Sequence, residues 1–135
     1  MNGPSGTTDS ELAPAQAAFR FLVEIAGLVC WAVVGWEVGG DTWGWILAIL
    51  FPVVAATTWA SFRVPGDASA GQGAPIPVPG IVRLMIELDM LVLAGVFAII
   101  VGQVILGAAT LIAVLVHYSL TMRRVRWLLA QRTIT

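Results

Sequence analysis

IVRLMIELDMLVLAGVFAIIV, residues 81–101, decides how the rest of the chain is read. Apart from Arg83, Glu87 and Asp89, every residue in it is apolar or small. A run of about 20 mainly apolar residues is the length a helix needs to cross a bilayer. A charged side chain at that depth costs about 3 kcal/mol on insertion scales, so three such residues in one run ask for a reason. The composition around it agrees with lipid as the solvent. The chain of 135 residues is 59% hydrophobic and 11% charged, with a mean hydropathy of +0.91. A soluble domain has about 25% charged residues; here there are too few to cover a water-facing surface. The length predicts one domain.

Four runs of spanning length can be drawn, at about 17–38, 43–62, 81–101 and 104–122. Gly39-Gly40-Asp41 marks a turn after the first, and Gly102-Gln103 a turn between the last two. Residues 63–80, RVPGDASAGQGAPIPVPG, form a linker rich in Gly, Pro and Ala. Residues 1–16 read as a disordered polar leader and 128–135 as a tail, leaving 17–127 as the membrane domain. All seven basic residues are Arg. Arg20 precedes the first run, Arg63 and Arg83 flank the linker, and Arg123, Arg124, Arg126 and Arg132 follow the fourth. With four crossings every Arg falls on one side, which the positive-inside rule makes the cytoplasm. Backbone groups in lipid must be satisfied within the segment, so the runs are helices. The expected fold is all-α: a polytopic four-helix membrane bundle of the inner (plasma) membrane, with both termini cytoplasmic.

Polar groups gather in its cytoplasmic half. Glu24 lies one turn past Arg20 and Glu87 one turn past Arg83, each an i,i+4 ion pair by spacing. Glu87 and Asp89 stand roughly 200° apart on a helix and cannot aim at one point. Asp89 has no basic residue three or four positions away, so it reads as a proton donor awaiting a partner. A hydrogen bond to a neighbouring helix is the plainer role for Asp89, and helix pinning the plainer role for the two glutamates. His117 and Tyr118, near the end of the fourth run, are interface anchors or substrate contacts. Among the six Trp, Trp43, Trp45 and Trp127 fall at span ends, as membrane anchors do. Trp31 lies seven positions from Glu24 on the same face, and Trp59 sits at about the depth of Glu24. Each is either packing or a π-face for a cation, an attraction of roughly 2 kcal/mol where water is excluded. The lone Cys30 allows no internal disulfide. HExxH, CxxC, GxSxG and P-loop spacings are missing from the sequence, so no metal or cofactor is expected. No long basic run points to nucleic acid.

The stretch FRFLVEIAGLVCWAVVGWEVGG, residues 19–40, together with the Arg-Leu-x-Ile-Glu opening of the third run, resembles the small YrdB-like four-span membrane proteins. The resemblance covers about 17–127. The chain is also similar in size and hydropathy to the short membrane-bound terpene cyclases of drimentine-type pathways. That second resemblance implies proton-initiated cyclisation of a farnesyl-type chain on a prenylated indole, a lipid-like small-molecule substrate. Asp89 would be the general acid, Glu24 or Glu87 its partner or terminal base, and Trp31 and Trp59 the cation stabilisers. The alternative is a non-catalytic membrane protein, a proton-coupled carrier or a partner subunit.

Overall fold

A computed structural model describes residues 14–65 and 76–131. Most of the leader, the centre of the linker and the last four residues of the tail lie outside the described residues. The described chain is mostly α-helical, with short connections and one two-residue parallel bridge. Helix α1 is Pro14–Ser61, α2 Gly80–Ile100, α3 Val104–Leu120 and α4 Met122–Ala130. Strand β1 (Phe62–Arg63) pairs with β2 (Ile76–Pro77).

α1 is two arms, 14–39 and 41–61, joined at Gly40, whose φ of 60° and ψ of −153° leave the helical region. That positive φ is strained for a side chain with a Cβ but open to glycine. The arms fold back on one another. A Cβ at Gly35 would strike the Leu47 carbonyl, and Trp36 meets Trp45 edge to face at 4.8 Å. α2 and α3 form a second antiparallel pair through Gly102, at φ 98°. They approach so closely that a Cβ on Gly107 would collide with the Gly95 carbonyl, the small-residue packing expected of helices in lipid.

α4 continues from α3 after a bend of 73°. It lies across the start of α2: Gly80 N–H donates to the Gln131 carbonyl at 2.8 Å, and a Cβ at Gly80 would overlap the Leu128 backbone. Leu128 is fully buried with Val64, Val78 and Leu84, so the bridge, α2 and α4 seal one end of the bundle. At that same end the Gln16 side-chain amide donates to the Leu120 carbonyl at 3.2 Å. The start of α1, the end of its second arm, the start of α2 and the end of α3 are therefore neighbours. Arg20 and Arg83 lie in these segments and the other described Arg lie in the adjoining β1 and α4, while the Gly40 and Gly102 turns, with Glu37 and Asp41 beside the first, form the opposite end.

One element, α1, is long and apolar enough to cross a membrane, and α3 taken together with α4 makes a second. α2 has the length, 21 residues, but holds three charged side chains; α3 alone has 17 residues. Only 22% of the most apolar stretch of α1 is buried inside the bundle. The outer surface is apolar as well, with Ile105, Trp45, Ile100 and Leu115 each more than two-thirds exposed.

Candidate functional site

The side chains that face inward on α2 recur every three or four residues: Gly80, Arg83, Leu84, Glu87, Leu91, Ala94, Gly95 and Ala98 are all buried. Glu87 therefore points into the bundle with none of its side chain exposed. A lone buried carboxylate would be prohibitively expensive, and this one is surrounded by donors. Arg83 Nε donates to its Oε1 at 2.9 Å. Arg124 from α4 grips both oxygens, Nη1 to Oε2 at 2.9 Å and Nη2 to Oε1 at 2.7 Å. Arg20 from α1 reaches Oε1 at 3.2 Å, and the Tyr118 hydroxyl from α3 donates to Oε2 at 2.8 Å. One carboxylate thus joins all four helices.

Arg83 does more than pair with Glu87. Its Nη1 donates to the carbonyls of Trp59 and Phe62, the latter at 2.6 Å. These carbonyls close the second arm of α1, where a helix leaves acceptors unpaired and a cation is favoured. The same guanidinium stands 5.2 Å from the centroid of the Trp59 ring. Arg83 thereby fastens the end of α1 to the start of α2. His117 is also buried, edge to face with Tyr118 at 5.0 Å and tilted on Phe19 at 6.1 Å. Its Nδ1 is a buried atom with no hydrogen-bond partner among the described residues.

Glu24 is placed differently. It accepts from Arg20 Nε at 2.9 Å, and 30% of its side chain is exposed. It stands on the wall of a cleft of about 140 Å³ between the two arms of α1 and α2, with Gly27, Trp31, Ala55, Trp59 and Leu91 among the other lining residues. Trp31 donates its indole N–H to the Met90 carbonyl at 2.9 Å, which satisfies its one polar atom and turns the ring into a wall. Phe51 and Phe97 meet that ring edge to face at 6.3 and 5.9 Å. Beyond it lies a second hollow of about 260 Å³, lined by Trp31, Leu50, Phe51, Val54, Ala55 and Met90. Ala55 is small enough to leave room opposite Trp31, and together with Met90 these two residues are common to both hollows. The arrangement offers an accessible carboxylate at an aromatic-walled apolar recess. Among the described residues no cluster of His, Cys, Asp or Glu is suited to hold a metal ion.

The sequence reading grouped five polar residues in one layer. The structure brings Glu87 and Tyr118 into direct contact, sets His117 beside Tyr118, and links Glu24 to the same group through Arg20. Trp31 and Trp59 line the cleft with Glu24. Asp89 does not join them: it is exposed on the outward face of α2, because Glu87 and the small residues in phase with it set the inward face. Arg124 was missed as a site residue. The arginines after the fourth run were read only for topology, and the fold of that segment back onto α2 depends on Gly80, whose lack of a Cβ was the available signal.

A family model described as "Protein of unknown function (DUF2568)" matches residues 18–116, and the chain belongs to that family. The uncharacterized protein YrdB of Bacillus subtilis (strain 168) is 30% identical over 112 residues, 83% of this chain and 91% of that protein. No solved structure matches. The YrdB-like resemblance is therefore sound, and α4, with Arg124, lies beyond the stretch that the family model matches. The terpene-cyclase resemblance finds no support in either comparison, and the expectation of a membrane cyclase is corrected. Neither relationship brings cyclase activity with it, and the geometry separates the acids that the reaction needs. Asp89 faces outward, and Glu87 is saturated by three guanidinium groups and a phenol.

Proposed function

We propose that this protein is an integral membrane bundle that holds an amphiphilic small molecule in its lateral cleft. An apolar chain lies beside Trp31, and a positively charged or N–H-donating head group lies at Glu24. The chain crosses the plasma membrane four times, as the two arms of α1, α2 and α3, with the Arg-rich end in the cytoplasm. Support for the membrane part comes from the apolar exposed surface and from the position of every described Arg at one end, the pattern of cytoplasmic membrane faces. α2 carries three charged residues, but two of them, Arg83 and Glu87, are buried and paired with each other.

The observation that carries the ligand reading is Glu24. It keeps a partly exposed carboxylate, held by Arg20 alone, at the edge of an otherwise apolar recess, whereas the neighbouring Glu87 is sealed. Two hollows of about 140 and 260 Å³ that share Trp31 together fall in the lower part of the about 300–1,000 Å³ of small-molecule sites and suit a chain with one polar end. Carboxylate and indole face both favour a cation over a neutral head.

The test is calorimetric titration of the full chain, in lipid nanodiscs, with decyltrimethylammonium and with the neutral decanol. The ammonium should bind at least tenfold more tightly, and Glu24→Gln should remove that preference. Equal binding of the two, or an unchanged preference in Glu24→Gln, would refute the reading.

A further inference from the structure

We propose that the outward face of α2, centred on Asp89, docks a transmembrane helix of another protein that carries a basic side chain near its middle. The inference rests on the membrane reading above and goes beyond its ligand. α2 buries one face completely, and the opposite face is a stripe of Ile81, Met85, Asp89, Leu93 and Ile100, all exposed. Asp89 is the tenth residue of the 21 in α2. At 1.5 Å per residue such a helix is about 31 Å long, close to the thickness of the hydrocarbon core. Asp89 therefore sits near the middle of α2, about 3 Å further from the sealed end than Glu87, and faces away from its own bundle.

No hydrogen bond or ion pair joins Asp89 to another described residue, and it does not line the cleft beside Glu24. A carboxyl group at that position, bordered by apolar residues one turn away on each side, is costly in lipid. A donor supplied from outside offsets that cost. A second copy of this chain does not bring one. All of its basic residues are Arg, and those described lie at the sealed end, with Arg20, Arg83 and Arg124 buried around Glu87. A symmetric pair through this face would set Asp89 against Asp89. Charge complementarity selects a different helix, one with Lys, Arg or His at mid-depth, packed along Met85 and Leu93.

The experiment uses the full chain in phosphatidylcholine vesicles and a synthetic 21-residue Leu/Ala helix with a single central Lys, followed by energy transfer between fluorophores. Helices with Leu or Asp at that centre are the comparisons. The Lys helix should associate at least tenfold more strongly than the Leu helix, and Asp89→Leu should abolish the difference. Because Asp89 is exposed and unpaired among the described residues, Asp89→Leu should melt like the parent chain, and Glu24→Gln should leave the preference intact. Equal association of the Lys and Leu helices, a preference that survives Asp89→Leu, or Asp89-dependent self-association without any added helix would overturn the inference. Release of the chain from the vesicles by alkaline carbonate would overturn the membrane reading as well. Loss of the peptide preference in carbonate-resistant vesicles overturns this inference alone.

Discussion

Replacing Glu87 with Gln tests the most concentrated interaction in the molecule. The substitution keeps the shape of the side chain and removes its charge. It leaves Arg83 and Arg124, which are 0% and 1% exposed, without the carboxylate that holds them. One amide N–H₂ must also face guanidinium donors. Breaking a buried ion pair by removing one partner costs about 3–5 kcal/mol. Three arginines converge here, so the upper half of that range is expected. At about 4 °C per kcal/mol for a chain of this length, the melting midpoint should fall by roughly 15–20 °C. Thermal unfolding in detergent micelles, followed by circular dichroism, measures it. Glu24→Gln is the matched control. It removes a partly exposed pair with one partner, worth about 1 kcal/mol or less, and should shift the midpoint by no more than about 4 °C. The double variant Glu87→Gln/Arg124→Gln should be less destabilised than the sum of its parts by more than about 1 kcal/mol, because the two groups share one network. A Glu87→Gln midpoint within about 2 °C of the parent, or strict additivity with Arg124→Gln, would refute the proposed joint between the helices.

Tyr118→Phe removes one hydrogen bond to the same carboxylate and should cost about 1.5–3 kcal/mol, the usual range for a bond to a charged acceptor; the same melts check it. Gly80→Ala drives a methyl group into the Leu128 backbone. It should cost about 1–3 kcal/mol by overpacking and loosen α4, seen as faster trypsin cleavage after Arg123 and Arg126. Cys30 is fully buried, with its sulfur 3.3 Å from the Thr110 hydroxyl, so a maleimide should label it only after denaturation.

The helices were legible in the sequence because apolar runs and glycine turns are local signals. Gly40 and Gly102 are positions where the chain must reverse, and each takes a positive φ. The Arg20–Glu24 and Arg83–Glu87 pairs were legible for the same reason: four residues on one helix fix the contact. What spacing along one helix could not show is that Arg20, Arg124 and Tyr118 converge on Glu87, since that depends on helix crossing and on a 73° bend between α3 and α4. Asp89 drew attention because it lacks a local partner, and this absence led to the wrong face. The phase of Gly80, Leu84, Leu91, Ala94, Gly95 and Ala98 carries the better signal, and it runs through Glu87. The recess beside Trp31 was only partly legible. The common face of Glu24 and Trp31 follows from their spacing, whereas the room opposite the ring comes from Ala55 on the other arm.

The central claim is that the Arg-rich, sealed end of the bundle faces the cytoplasm and both glycine turns face outward. Single cysteines at Thr42, Gln103 and Arg126, all exposed positions, can be probed in intact cells with a membrane-impermeant maleimide. The account predicts labelling of Thr42→Cys and Gln103→Cys from outside, and labelling of Arg126→Cys only after the membrane is opened. Labelling of Arg126→Cys in intact cells, or of only one of the two turn positions, would contradict it.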